Sequence, residues 1–197
     1  MASSDILLRN QPDAHLNDVY GERDYYWYLR SPEFQETFLK PIGNEVNKIG
    51  GTCLDVGCGE GWLSPFIDGG YLGIDASSEA ITTARERCTR PDNEHEFGIA
   101  RIEDFPTFAA EHYHFDCIIF GGIIYCLIKP EYHISFIREY LDAFHASHFI
   151  IYDLWALDTS QIRAEFGMPV VRSKGNAHVK DLLPIKNKRI VEVYKCR

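Results

Sequence analysis

The chain has 197 residues, one domain's worth, and 45% of them are hydrophobic, which excludes a disordered or collagen-like chain. The 20 Lys and Arg against 29 Asp and Glu give a formal net charge of −9, which repels an extended polyanion such as DNA. No apolar run approaches the ~18 residues of a membrane span, and Met1-Ala2-Ser3-Ser4-Asp5 lacks the basic and apolar regions of a signal peptide, so a cytoplasmic location is expected.

In chain order, residues 1–22 are polar and weakly patterned, and Asp24-Tyr25-Tyr26-Trp27-Tyr28-Leu29-Arg30 is the most aromatic stretch. Ser31-Pro32-Glu33 reads as a helix start, with a serine cap, proline at the first helical position and an acid in the first turn. Phe34, Phe38, Ile42, Val46 and Ile49 fall on one helical face, Pro41 should bend or split the helix, and Gly50-Gly51 ends it. Strand and helix then alternate. Residues 52–56 form a short apolar strand, 61–68 a helix and 71–74 a second strand. Ser77 or Ser78 caps a helix that buries Ile81, Ala84 and Cys88. Strands over 96–102 and 115–120 follow, then a helix from Pro130 with Ile134, Ile137, Leu141 and Phe144 on one face, and a strand over 148–152. Apolar strands between helices point to a parallel sheet covered on both faces.

After Gly175 two strands, 177–183 and 189–196, flank a turn with Pro184 and Asn187 and read as an antiparallel hairpin at one edge. The last 26 residues carry +6 and the first 171 carry −15, a basic end that reads best as a lysine-defended sheet edge. Six cysteines show no CxxC spacing, so neither disulfides nor a metal site is expected. The fold class is α/β, a doubly wound, Rossmann-like, mostly parallel sheet with a C-terminal antiparallel hairpin. One domain is expected: an N-terminal helical lid (1–48), a cofactor-binding core (49–155), and an acceptor-side segment with the hairpin (156–197).

Ligands on such sheets bind at the carboxyl ends of the strands, near the point where strand order reverses. The first strand ends in Asp55-Val56-Gly57-Cys58-Gly59-Glu60-Gly61-Trp62. Glycines at alternate positions let the backbone pass close to a ligand. Asp55 supplies a carboxylate at the strand mouth, and Asp75, eighteen residues beyond Gly57, is placed to accept both hydroxyls of a ribose, although it could instead cap the next helix. A nicotinamide cofactor would need GxGxxG; here the sixth position is Trp62, and Asp55 would lie against a pyrophosphate. A cofactor with a sulfonium and an ammonium group and no phosphate, S-adenosylmethionine, fits an acid there better.

The stretch 54–61 followed by Asp75 resembles the signature of class I S-adenosylmethionine-dependent methyltransferases, and the resemblance covers roughly residues 45–155. It implies that Asp55 serves the methionine ammonium, partly through water, that Gly57, Cys58 and Gly59 pass beneath the methionine, that Asp75 binds the ribose diol and that Ala76 lies against adenine. It also implies Ile102 and Glu103 at the adenine edge, and Phe120 and Gly121 lining the methionine and the methyl-transfer channel. Arg101 departs from the pattern, since an acid that accepts the adenine amino group often stands there; either Glu103 takes over or backbone groups hold the base.

The acceptor is approached by exclusion. The Gly121-Gly122-Ile123-Ile124 loop lacks the [Asn/Asp]-Pro-Pro-[Tyr/Phe] of amino-methylating nucleic-acid enzymes, and Cys117 and Cys126 lack the Pro-Cys context of cytosine-C5 enzymes. A small-molecule acceptor methylated on O or N is expected, with no DNA and no membrane partner, and with a homodimer as one way to close so small a pocket. A hydroxyl acceptor needs a base, for which Asp153, His133 and Tyr125 are candidates, His133 being read as facing solvent. Tyr20 and Arg30 are candidates from the lid, one for the sulfonium and one for the methionine carboxylate, although the lid aromatics can equally dock the helix. Three further readings stay open: a tRNA or RNA acceptor met by the basic tail, a non-catalytic cofactor-binding module, and a nicotinamide oxidoreductase.

Overall fold

The computed structural model describes residues 30–88, 94–126, 130–153, 158–176 and 188–196. Among the described residues seven strands, β1 (Thr52–Val56), β2 (Gly70–Asp75), β3 (His95–Ile99), β4 (Cys117–Gly121), β5 (His148–Asp153), β6 (Val171–Asn176) and β7 (Lys188–Lys195), form one sheet in the order β3-β2-β1-β4-β5-β7-β6. The first five strands run parallel, while β7 pairs antiparallel with both β5 and β6. The doubly wound sheet with an antiparallel edge is therefore present. The hairpin's first strand is six residues earlier than the sequence suggests, and the expected strand over 177–183 lies outside the described residues.

Alternation along the strands sends side chains into two cores. Leu54, Val56, Ile118 and Phe120 face one core with Phe136, Ile137, Tyr140 and Phe144. Cys53, Cys117, Ile119 and Ile150 face the other with Phe34, Phe38, Ile42 and Val46. The helix over 32–49, α1, supplies that second cover. It starts as Pro32–Phe34, opens into a π-helical turn at Gln35–Leu39 and continues as Lys40–Ile49. Pro41 thus neither splits nor ends α1. The wide turn, closed by Lys40 N–H on the Gln35 carbonyl, absorbs the ring that an α-turn cannot hold.

On this face α2 (Ser78–Arg87) is capped by the Ser77 hydroxyl, which accepts from Ala80 N–H at 3.2 Å. The opposite face carries α3 (Phe105–Ala109), α5 (His133–Phe144) and α6 (Ser160–Phe166), with the single turn α4 (Ile123–Cys126) following β4. Helix α5 is rotated from its expected orientation. Its buried line is His133, Phe136, Ile137, Tyr140 and Phe144, with Ile134 and Leu141 at the margins, so His133 is buried rather than solvent-facing. An aromatic column of Phe120, Phe136, Tyr140 and Phe149 captures that line.

Helix α5 ends at His145, the one described non-glycine residue with positive φ, at 52°. A Cβ in the left-handed region costs of the order of 1 kcal/mol. His145→Gly is therefore expected to stabilise the protein by about 0.5 kcal/mol, read as a raised urea midpoint at unchanged slope; a lowered midpoint would mean that the imidazole itself contributes.

Candidate functional site

The reversal of strand order falls between β1 and β4, and the loops after these strands meet there. Gly57, with φ 73°, leads out of β1, and a side chain on it would strike Ile123 of the loop after β4. Gly59 and Gly61 also have positive φ, 55° and 69°, which makes this turn accessible to glycine and costly for other residues. The loop then folds back over β2. Gly57 and Cys58 N–H both donate to the Ile74 carbonyl at 2.8 and 2.9 Å, Gly59 N–H donates to Asp75 Oδ2 at 3.0 Å, and Gly61 N–H donates to the Cys58 carbonyl.

Those bonds decide what the loop can bind. A pyrophosphate-binding turn presents free N–H groups to the ligand, whereas the amides of Gly57, Cys58, Gly59 and Gly61 are all directed inward. The expected helix over 61–68 is absent as well. The positive φ of Gly61, together with the ring of Pro65, leaves only turns and a 3₁₀ segment, Ser64–Phe66, so no long helix follows the glycine loop directly.

Four carboxylates surround this edge of the sheet. Asp55 is 1% exposed; its Oδ2 accepts from the Tyr71 hydroxyl at 2.7 Å and its Oδ1 has no hydrogen-bond partner among the described residues. Burial, against the Tyr71 hydrogen bond and with the nearby Asp75 charge, pushes its carboxyl up to about 7. Asp75 ends β2 with Oδ2 on Gly59 N–H and Oδ1 on Ser77 N–H at 2.9 Å. It does not serve as the cap of α2, because Ser77 takes that place. Ala76 beside it is half-buried. Glu60 accepts from Trp62 Nε1 at 2.9 Å and from Arg30 at 3.3 Å, and the Arg87 guanidinium lies 3.0 Å from the Trp62 ring centre. Glu103 is buried under Arg101, which donates to it at 2.7 Å through Nε.

The sequence-predicted residues divide accordingly. Asp55, Gly57, Cys58, Gly59, Asp75 and Ala76 meet at the ends of β1 and β2. Burial raises the Cys58 thiol well above its usual range, so it sits there as a neutral group. Arg30 reaches the glycine loop, where it pairs with Glu60. The side chains of Ile102 and Phe120 both point into the core beside α5, so a ligand on this edge of the sheet would meet their backbones. The Ile102 carbonyl in turn accepts from the Tyr140 hydroxyl at 2.5 Å, which ties the loop after β3 to α5. Gly121 lies under the Tyr152 ring, which packs edge-on against Phe38 of α1 at 5.8 Å. His133, at the start of the helix that follows β4, is on the same edge of the sheet. Tyr20 and the side chains of Tyr125 and Asp153 lie outside the described residues. Tyr71 and Tyr152 escaped the sequence reading, since each looks like an ordinary aromatic in an apolar strand.

A buried carboxylate with an oxygen unpartnered among the described residues, beneath a loop whose glycine amides turn inward, suits a cationic group and disfavours a phosphate. Among the described residues no cluster of His, Cys, Asp and Glu could hold a metal ion, and no helix is long and apolar enough to cross a membrane.

Comparison with known proteins agrees with this chemistry. Residues 53–147 match the family model of the methyltransferase domain. No curated protein matches the chain by sequence. Among solved structures, magnesium protoporphyrin IX methyltransferase (ChlM) from Synechocystis PCC 6803 with bound S-adenosylmethionine is 15% identical, covers 93% of this chain and 96% of its own, and has a TM-score of 0.65. The plantazolicin methyltransferase BpumL, in complex with a monoazolic desmethylPZN analog and S-adenosylhomocysteine, is 14% identical over 94% of this chain and 95% of its own, with a TM-score of 0.61. A structure concerned with the conversion of a disulfide bond into a thioacetal group during echinomycin biosynthesis is 15% identical over 94% and 93%, also at 0.61. At such identities these likenesses speak to the fold; the methyltransferase domain matched over residues 53–147, laid over the β1–β4 switch point, supports an enzyme of the class I S-adenosylmethionine-dependent methyltransferases.

Proposed function

We propose that the chain methylates an O or N atom of a small molecule. The observation that carries this reading is the apolar closure of the loop after β4. Ile123 abuts Gly57, the Tyr152 ring covers Gly121, and Phe38 of α1 packs on Tyr152. No amide or acid stands in Gly121-Gly122-Ile123-Ile124 to accept the protons of a nucleobase amine. The net charge of −9 also disfavours a polyanionic acceptor.

When bound, the cofactor supplies a methyl group activated by a sulfonium. Asp75 would hold its ribose hydroxyls and Asp55 its ammonium, with Gly57 and Gly59 giving the backbone clearance. The remaining task of the protein is to hold the acceptor in line and exclude water, to which the Phe38, Tyr152 and Ile123 side chains are suited. A hydroxyl acceptor needs its proton removed, and His133, buried at the start of α5, is the candidate base among the described residues; an amine bound in its neutral form needs no such base.

Transfer of a labelled methyl group from S-adenosylmethionine to pooled small metabolites and to total RNA, each at two salt concentrations, tests the reading. Labelling of a small neutral acceptor is expected to change less than about twofold between about 50 and about 200 mM salt, whereas RNA binding through several phosphate contacts falls by orders of magnitude. Labelling confined to RNA, and lost with salt, would replace the small-molecule reading with an RNA-directed one. Cofactor binding with no labelled product in either pool would favour a non-catalytic module.

A further inference from the structure

Tyr71 is the first apolar residue of β2. Its surroundings are unusual. The ring is 2% exposed, sandwiched with His95 at 5.2 Å and Phe97 at 5.6 Å between ring centres, and its hydroxyl donates to Asp55 Oδ2. The register explains the contact. Tyr71 pairs with Cys53 across β1 and β2, so Asp55, two residues on, lies on the same face of the sheet within reach of a long side chain. His95 is held behind the ring through Nε2 on the Gly69 carbonyl at 3.2 Å. The hydroxyl thus reaches Asp55 from below the glycine loop and occupies one carboxylate oxygen. The other oxygen is buried and without a partner among the described residues, which is costly in a protein interior unless a further donor, such as a ligand, is supplied.

We infer that Tyr71 is a positioning residue of the cofactor site: its hydroxyl fixes the Asp55 carboxylate so that Oδ1 alone is offered, as an anion, to the cationic amino end of the cofactor. This rests on the cofactor reading above and adds a residue to it. The Tyr71 hydrogen bond favours the charged form of a carboxyl that burial drives toward neutrality. The titratable groups that face Asp55 are Tyr71 and Asp75 from β2, Cys58 from the loop, Cys53 beside it on β1 and Cys117 on β4, with His95 behind Tyr71. Burial raises both tyrosine and thiols, so over neutral pH they stay protonated and the charge that changes in contact with the site is that of Asp55.

The consequence has a definite sign. With its carboxyl near 7, Asp55 loses its charge as pH falls, and affinity for an amino-bearing ligand falls with it by up to tenfold per unit. Removing the Tyr71 hydroxyl leaves the carboxylate less supported, so the fall begins at higher pH.

The experiment is calorimetric titration of wild type, Tyr71→Phe and Asp55→Asn between about pH 5.5 and about pH 7.5, where the ligand carboxylate stays charged and its amine stays mostly protonated, with Asp55→Asn giving the ligand's own contribution to the profile. The probes are S-adenosylmethionine and 5′-methylthioadenosine, which lacks the amino-acid end. Carboxyl-carbon NMR of the ligand-free proteins reads the Asp55 titration directly, with Asp55→Asn identifying the signal. Tyr71→Phe is expected to weaken S-adenosylmethionine binding about tenfold at neutral pH, to leave 5′-methylthioadenosine within about twofold, and to move the Asp55 midpoint upward. Asp55→Asn should flatten the pH profile. Equal weakening of both probes, an unmoved midpoint, or a profile that persists in Asp55→Asn and so belongs to His95 would each overturn the assignment. Failure of wild type to bind either probe would overturn the cofactor reading itself, and the positioning role with it. The NMR midpoints would then show whether the Tyr71–Asp55 coupling exists as a purely structural one.

Discussion

Asp75→Ala is expected to abolish cofactor binding and to loosen the glycine loop at the same time. One carboxylate performs both tasks. Its two oxygens receive Gly59 N–H from the loop and Ser77 N–H from the start of α2, so Asp75 links the turn after β1 to the turn after β2. Each carboxylate oxygen can accept more than one hydrogen bond, and charge-assisted bonds to ribose hydroxyls are stronger than neutral ones. Losing two of them implies an affinity lower by about a hundredfold or more. Two buried amides also lose their acceptor, at about 1–3 kcal/mol each if water does not replace it. Asp75→Asn separates the effects, because its single carbonyl can keep one amide while its NH₂ opposes the other. Calorimetry with S-adenosylmethionine and S-adenosylhomocysteine, with NADH as a control, checks the binding, and urea unfolding checks the stability. Wild-type affinity in Asp75→Ala would assign the residue to the turn alone and remove it from the site.

The parts of this site that could be read from the sequence are those encoded by contiguous residues. An apolar strand, alternate glycines and an acid at the end of the next strand are local features, and their spacing carries their geometry. What could not be read depends on register and on which helix covers which strand. Tyr71 becomes the partner of Asp55 only when Thr52 is set against Gly70 across the two strands. His133 has the spacing of a surface residue until α5 is turned by the aromatic column around Phe120. The missing helix after the glycine loop has a local cause, but Pro65 is tolerated in a first turn, and the positive φ of Gly61 is not written in its neighbours. The edge strand β6, with Arg172, Ser173, Lys174 and Asn176, lacks the apolar alternation by which strands are recognised, and it holds its place through pairing with β7.

The same edge carries the second large expectation, a loss of about 3–5 kcal/mol in Glu192→Ala. Along β7 the alternation of Val191, Glu192, Val193 and Tyr194 suggests one apolar and one wet face, yet Glu192 and Tyr194 are both wholly buried. Helix α6 makes the difference by covering them. Glu192 Oε1 accepts from Arg163 at 3.1 Å, Thr159 at 3.1 Å and Arg172 at 2.9 Å, while Oε2 accepts from the Tyr194 hydroxyl at 2.5 Å. The carboxylate therefore joins β7, β6 and α6, and Tyr194 carries the link inward by stacking on Phe149 at 4.6 Å. Truncation leaves the Tyr194 and Thr159 hydroxyls without their acceptor and a cavity beneath two guanidinium groups. Those two can turn partly toward solvent, which sets the effect nearer 3 than 5 kcal/mol. For a chain of this length that is a fall in melting temperature of about 6–12 °C. Glu192→Gln keeps an acceptor for the arginines and presents an NH₂ to a tyrosine hydroxyl that can rotate to accept, so about half the loss is expected. Paired urea and thermal unfolding of the two variants checks the order. Equal losses would mean that the volume of the side chain matters more than its charge, and a loss below about 1 kcal/mol would mean that α6 is not anchored to the edge through Glu192.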